Sequence, residues 1–455
     1  MTSSPLRVAV VGAGPAGIFT ADILTRQNRD VQVDLFERLP VPYGLVRYGV
    51  APDHPRIKAI IDALQEALGS GTIRLIAGVD VGVDLPLDAL RTVYDAVVIS
   101  TGADDDAPLS VPGVDLPGSF GASAFVSWYD AHPDAPQDWP LDAEQVAVIG
   151  AGNVALDVAR MLAKHATDLL PTEIPDHVHA GLAASRVTDV HLFARRGPAE
   201  AAFSPLELRE LGEVPDVDVV VDPADMVFDR SSDALLAASR QRRIVAKTVV
   251  AWSERDPATM RASRRIHLHF MQAPVRIDGD AHVASLTLER TRHRANGTVE
   301  GTGELVSYPV GQVYRAIGYA SSAVPGAPFD ALRRRIPHEK GRVLDADGSV
   351  VSGLYVSGWI KRGPVGLIGS TKSDSLETVT RLMEDAEAHA DAGGRPDPLP
   401  GLLDRHGLTG IGWDGWLRVD RRERELGDER GRERIKIFSR EEMSAVARAE
   451  STVRA

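Results

Sequence analysis

Gly12-Ala13-Gly14-Pro15-Ala16-Gly17 follows the apolar run Val8-Ala9-Val10-Val11, and Gly150-Ala151-Gly152-Asn153-Val154-Ala155 follows Val146-Ala147-Val148-Ile149. Each reads as a glycine-rich turn between a buried strand and a helix, the pattern that holds a dinucleotide pyrophosphate. In the first, Gly12 permits the tight turn, Gly14 lets backbone approach the pyrophosphate, and Gly17 lets the helix pack closely on the strand. The helix N-terminus then turns its free N–H groups toward the phosphates. One such fingerprint is a weak signal. Two in strand-to-helix context imply two nucleotides on one chain, and electron transfer between them.

The two βαβ units differ where their second strands end. Val31-Gln32-Val33-Asp34-Leu35-Phe36-Glu37 closes the first on an acid, at the distance expected of a carboxylate that bonds ribose hydroxyls. The second strand of the other unit, residues 187–194, runs into Arg195-Arg196-Gly197-Pro198. A carboxylate there would repel a ribose 2′-phosphate, whereas guanidinium binds it bidentately. FAD therefore suits the first site and NADP(H) the second, with hydride passing between nicotinamide and flavin. The alternatives are a glycine turn of some other α/β protein and a solvent-facing arginine pair.

Composition narrows the chemistry. The 455 residues suffice for two or three domains, and an apolar share of 44% is that of an ordinary globular protein. No stretch approaches a membrane span, and the N-terminus leads straight into a strand, so a cytoplasmic location is the expectation. A net charge of −13 argues against wholesale nucleic-acid binding. The chain has no cysteine. That removes disulfides, thiolate metal sites, iron–sulfur ligation and any dithiol relay. No metal site is expected, and electrons must leave to an external acceptor.

The fold class expected is α/β: two Rossmann-like dinucleotide-binding domains, with the NADP domain inserted into the FAD domain. Residues 1–107 form the first part of the FAD domain, 108–322 the NADP domain, and 323–455 the rest of the FAD domain with a C-terminal extension. Residues 56–68 have helical spacing, and residues 94–102 read as a buried strand ending in Thr101-Gly102. Residues 108–117 read as a linker, 130–140 as a proline-rich loop, and 165–186 as an insertion. Residues 211–313 read as mixed strands and polar turns, and 314–319 as the strand end closing the second half. A helix is expected from near Asp374. The mixed charges of 421–434 read as a solvated surface segment.

The run from Leu39 through Pro42-Tyr43-Gly44-Leu45 to Asp53-His54-Pro55 resembles the signature of adrenodoxin reductase and its bacterial relatives, the NADPH–ferredoxin reductases. So do GAGNVALDVAR at 150–160, Arg195-Arg196-Gly197-Pro198, LELREL at 206–211 and Gly358-Trp359-Ile360-Lys361-Arg362-Gly363-Pro364. The resemblance spans nearly the whole chain in order. It implies a ferredoxin–NADP(+) reductase, taking hydride from NADPH to flavin N5 and releasing single electrons to a ferredoxin-type iron–sulfur protein. It also implies roles. Ala13, Glu37, Leu45 and Val81 would contact FAD, and Trp359 with Gly366-Leu367-Ile368 would line the isoalloxazine. Asn153, Val154, Ala155, Arg195, Arg196 and Glu207 would bind NADP(H). His54, Trp359 and Gly366 would lie where nicotinamide meets flavin. Relatives often carry an arginine shortly before the Leu-x-x-Pro-Gly linker, where this chain has Ala107.

Read from local pattern alone, several of these stay open. His54 fits a structural histidine, or a positioning group. Glu207 and Glu210 share a helix face that could be merely solvated, although Phe203-Ser204-Pro205 looks like a helix entry. The glycine-rich 363–369 could aim a helix dipole at the flavin or simply enter a helix. Basic clusters at Arg240, Arg242, Arg243 and Lys247, and at Arg261, Arg264 and Arg265, are candidate docks for an acidic ferredoxin. The rival functions are an NADPH-dependent flavin monooxygenase and a non-catalytic nucleotide-binding subunit.

Overall fold

The computed structural model describes residues 5–54, 58–294, 297–365, 368–388 and 397–449. The chain divides into two compact units. The first comprises Met1–Asp105, Asp130–Pro133 and Tyr319–Ala455, and the second Asp106–Tyr129 and Asp134–Gly318. These divisions lie at 105/106 and 318/319, against the 107/108 and 322/323 expected from the sequence. Residues 130–133 depart from the expected ranges because Asp130 is buried in the first unit, beside Lys58 at 3.4 Å and Lys436 at 3.3 Å.

In the first unit a seven-stranded sheet runs His338–Glu339, Arg342–Leu344, Val350–Val356, Ala96–Ile99, Leu6–Val11, Val31–Glu37, Ile73–Ala77. The last five strands are parallel, and the first two form an antiparallel edge. Leu6–Val11 is central. Val8 and Val10 bury into one apolar cluster with Leu35 and Val98, while Ala9 and Val11 bury into another with Phe36 and Val97. Both faces are covered, which is why these strands read as unbroken apolar runs. From Leu6–Val11 the chain steps to Val31–Glu37 on one side and later crosses to Ala96–Ile99 on the other. Gly12 therefore sits at the switch point, outside the carboxyl ends of the strands, where ligands of open α/β sheets bind.

The second unit repeats this logic. Its six strands run Ser119–Gly121, Gln312–Arg315, Gln145–Ile149, Asp189–Phe193, Arg264–His269, Val217–Val221, parallel throughout. Gln145–Ile149 lies between its second strand and Gln312–Arg315, so Gly150 is again at the switch point. A three-stranded antiparallel sheet, Gln272–Asp278, Ser285–His293 and Val299–Tyr308, buries Ile277, Leu286 and Leu288 against Ala147, Ile149 and Phe193.

The parallel register sets His267 opposite His191, with their rings stacked 4.4 Å apart, and His191 Nδ1 lies 3.1 Å from His269 Nε2. Burial first, and then the neighbouring imidazole, holds His191 down to about 4 and His269 down to about 3. Both values lie below the ordinary ~6.5 of an unfolded chain, so the folded state binds fewer protons in that window. Their contribution is complete above pH ~6.5 and is lost as pH falls toward ~4. Unfolding free energy measured across that range should decline on acidification, and His269→Phe should make the decline shallower. An unchanged slope would refute the account.

Three expectations need correction. Residues 211–313 hold two helices, Arg230–Ala238 and Arg240–Ser253, as well as strands. Asp229 and Ser239 cap them, and Val245, Ala246, Val249 and Trp252 bury one face of the longer helix. The helix expected near Asp374 starts earlier, at Ile368. Residues 421–434 are not simply solvated. Helix Trp413–Asp428 buries Trp416, Val419, Glu423 and Gly427 at helical spacing, and Arg434 is buried beside Glu423. No described helix is long and apolar enough to cross a membrane.

Candidate functional site

At the first cradle, Gly12 has φ +102, and a Cβ there would stand 2.7 Å from Ser100 O. A Cβ on Gly17 would stand 1.8 Å from Gly12 O, so the helix–strand contact requires glycine. Gly14 is different: a Cβ there meets nothing within 4 Å. It opens helix Pro15–Thr25, whose N-terminus has no side-chain cap and carries Pro15 in its first turn. The result is an open cradle of backbone N–H groups, which fits a pyrophosphate. Gly17→Ala should destabilise this unit by about 1–3 kcal/mol. Chemical denaturation reads it, and a stability equal to wild type would overturn the close-packing argument.

Glu37 braces the turn. Its Oε2 accepts the Ala13 N–H at 2.8 Å and its Oε1 the Leu39 N–H at 3.0 Å. Burial raises its pKa, and the N–H groups of Leu39 and Ala13 work against that rise. A carboxylate has lone pairs to spare beyond these two bonds, so ribose hydroxyls remain bondable. Leu45 begins the short helix Leu45–Tyr48. It is brought in by Tyr43, whose N–H donates to Ala13 O at 2.8 Å, and by Gly44, where a Cβ would stand 3.2 Å from Gly14 Cα. Tyr43 and Gly44 have φ +87 and +51. Neither was singled out as a contact from sequence, although Pro42-Tyr43-Gly44 carries turn punctuation. Val81 and His54 are both buried.

Trp359 opens the short helix Trp359–Arg362 and is half-buried, stacked on Tyr319 at 6.0 Å between centroids. The turn before it is fixed by Asp374, whose carboxylate accepts the Gly358 N–H at 2.7 Å and lies 3.0 Å from the buried Lys361 ammonium. Sequence reading missed Asp374 as a brace, since sixteen residues separate it from Gly358 with no local pattern. Gly366 and Leu367 lie outside the described residues, as does the side chain of Ile368.

At the second cradle a Cβ on Gly150 would stand 2.2 Å from Ala316 O, while Gly152 again faces open space. Helix Asn153–Ala163 has no side-chain cap. Asn153 Oδ1 accepts the Ser204 N–H at 2.8 Å, and Ala202 N–H donates to Ala151 O at 2.8 Å, tying residues 202–204 to the fingerprint. Val154 follows in the first turn, and Ala155 is buried against the sheet. Ser204 caps helix Pro205–Gly212 by accepting the Glu207 N–H. Glu207 is buried, its carboxylate 3.7 Å from Arg160, which also pairs with Asp157 at 2.9 Å.

Arg195 is exposed and Arg196 half-buried at the end of Asp189–Phe193. Among the described residues neither guanidinium pairs with an acid, and Arg196 Nε is buried without a hydrogen bond. Two cations left without counter-charge at this position fit a phosphate dianion. Ala107 donates its N–H to Gly318 O at 2.9 Å.

Two open glycine cradles, one ending in an acid and one in free arginines, define the class of two-dinucleotide oxidoreductases. The profile of the pyridine nucleotide-disulphide oxidoreductase family matches residues 6–205. This chain has no cysteine for disulphide chemistry. The mitochondrial NADPH:adrenodoxin oxidoreductase of Arabidopsis thaliana is 36% identical, covering 98% of this chain and 96% of that protein. NADPH-ferredoxin reductase FprA of Mycobacterium tuberculosis is 37% identical, covering 96% and 98% respectively. The solved structure of Mycobacterium tuberculosis FprA in complex with NADPH matches with a TM-score of 0.90 at 36% identity, over 98% of this chain and all of that one. The chain belongs to the family of NADPH:adrenodoxin oxidoreductases and NADPH–ferredoxin reductases.

Proposed function

We propose that this protein is an FAD-dependent reductase that passes electrons from NADPH to a ferredoxin-type iron–sulfur protein. The observation that carries the reading is the pair of open, uncapped cradles with opposite endings. The first unit would hold FAD through the backbone of Gly12, Ala13, Gly14 and Gly17, through Glu37 on the ribose, and through Leu45, Val81 and Trp359. The second would hold NADP(H) through Gly150, Gly152, Asn153, Val154 and Ala155, with Arg195 and Arg196 on the 2′-phosphate.

When bound, FAD supplies the conversion between two-electron and one-electron chemistry. The chain's own contribution is orientation and electrostatics. Lys361 and Asp374 fix the turn that presents Trp359, Glu37 locks the first cradle, and His54 would act as a positioning group. Glu207 would serve the second cradle by holding Arg160. These 455 residues hold no cysteine to ligate a cluster, so the electrons would leave them for an iron–sulfur acceptor whose ligands lie elsewhere.

An acidic partner would find a dock on helix Arg240–Ser253. Arg240 and Lys247 are exposed there around the half-exposed Ile244. Arg242, Arg243 and Arg264 are less suitable, since their guanidiniums bond the carbonyls of Ala199, of Leu236 and Ala237, and of Ala163 and Lys164.

The test is direct. The purified protein should be yellow, and NADPH added anaerobically should bleach it. Reduction of cytochrome c should then accelerate on adding ferredoxin. A colourless protein, a failure to bleach, or substrate hydroxylation without ferredoxin would overturn the proposal.

A further inference from the structure

The turn that carries Arg195 and Arg196 is built over a cluster of His293, Glu200 and Asp229. Thr291 Oγ1 donates to Arg195 O at 2.8 Å, and Met271 N–H donates to Arg196 O at 3.3 Å. The next residues close a tight turn in which Glu200 N–H donates to Gly197 O at 3.1 Å. Beneath it lies His293, the last residue of strand Ser285–His293. Its Nε2 stands 3.6 Å from Glu200 Oε1 and its Nδ1 3.3 Å from Asp229 Oδ2. The His293 and Glu200 side chains are each 5% exposed. Asp229 is held rigidly as the cap of helix Arg230–Ala238, accepting the Ser232 N–H at 2.9 Å. Ser232 Oγ reaches Glu200 Oε1 at 3.5 Å. A Cβ on Gly197 would stand 3.2 Å from Glu200 Oε2 and 3.6 Å from the His293 ring, so the cluster presses against the residue next to Arg196.

The consequence is electrostatic. Glu200 follows closely on two guanidiniums that pair with no acid among the described residues. A carboxylate swung onto them would compete with a phosphate dianion for the same N–H fork. We propose that His293 is a positioning residue for coenzyme selectivity: with Ser232, it retains Glu200 in the buried cluster and so reserves Arg195 and Arg196 for the 2′-phosphate. The inference rests on the reading of the second unit as the NADP(H) site.

Calorimetric titration of the full-length flavin-loaded protein with 2′,5′-ADP and with ADP tests it. His293→Leu should weaken 2′,5′-ADP about tenfold, the scale of one charge-assisted hydrogen bond, and leave ADP unmoved. Adding Glu200→Gln to that variant should restore 2′,5′-ADP binding, because an amide does not compete with phosphate. Glu200→Gln alone should bind at least as tightly as wild type, and it keeps the idea testable where His293→Leu does not fold. A double variant as weak as His293→Leu, a His293→Leu variant indistinguishable from wild type, or a Glu200→Gln variant that binds 2′,5′-ADP more weakly than wild type overturns the inference. Wild-type protein that fails to distinguish 2′,5′-ADP from ADP overturns the NADP(H) reading itself, which is a separate result.

Discussion

Replacing Arg195 and Arg196 together by alanine is expected to lower kcat/KM for NADPH by about two to three orders of magnitude, while NADH changes little. Each guanidinium would give the 2′-phosphate a charge-assisted bond worth about 1.5–3 kcal/mol. Their sum falls short of full additivity, because both address one phosphate. The variant isolates recognition from folding. Arg195 and Arg196 hold the turn through their backbone carbonyls, which alanine keeps. Among the described residues no acid is left orphaned by their removal, and the buried Arg196 Nε without a hydrogen bond disappears. Stability should therefore stay within about 0.5 kcal/mol of wild type. Steady-state rates with an artificial acceptor, run with each coenzyme, supply the comparison. Equal losses with NADPH and NADH would remove the 2′-phosphate role from this pair.

Legibility in the sequence followed the range of the interaction. The cradles were readable because one strand, one turn and one helix make each of them, and the close contact that forces glycine at 17 acts within that unit, whereas at 12 the neighbour is Ser100, beyond the end of another strand. The arginine pair was readable because it ends the very next strand. Glu37 was readable for the same reason, but its bonds to Ala13 and Leu39 were not. Residues joined across the fold left no mark. Asp374 reaches back to Gly358, and His293 meets Glu200 from the far end of another strand. Helix Arg240–Ser253 was hidden because its apolar face is narrow and flanked by arginines. The helix opening at Ile368 was hidden because Gly369, Ser370 and Thr371 are poor helix formers. In the C-terminal stretch the alternation of charge masked a helical period in which a glutamate occupies a core position.

That glutamate supports the largest stability effect expected of the chain. Glu423 is fully buried and accepts from Arg47, from Arg434 at 3.1 Å and from the Ile437 N–H at 2.9 Å. Burial works against the charge of Arg47, but Glu423 and Tyr48 together outweigh it, so the guanidinium is held more firmly protonated than usual. Glu423→Ala leaves Arg47 buried without its counter-charge, which costs about 3–5 kcal/mol. Arg434 keeps Asp420 at 2.8 Å, which limits the damage on that side. The loss would be felt at the first cradle. Arg47 lies in helix Leu45–Tyr48, which Tyr43 and Gly44 tie to Ala13 and Gly14, so flavin retention should fall together with stability. Arg422 is the control. It lies one residue away on the exposed face, pairing with Glu425 at 3.4 Å, and Arg422→Ala should change stability by less than about 1 kcal/mol. Urea denaturation followed by circular dichroism measures both variants. If Glu423→Ala loses no more than Arg422→Ala, the buried network does not hold the cradle, and the C-terminal segment is the solvated surface its charge pattern suggests.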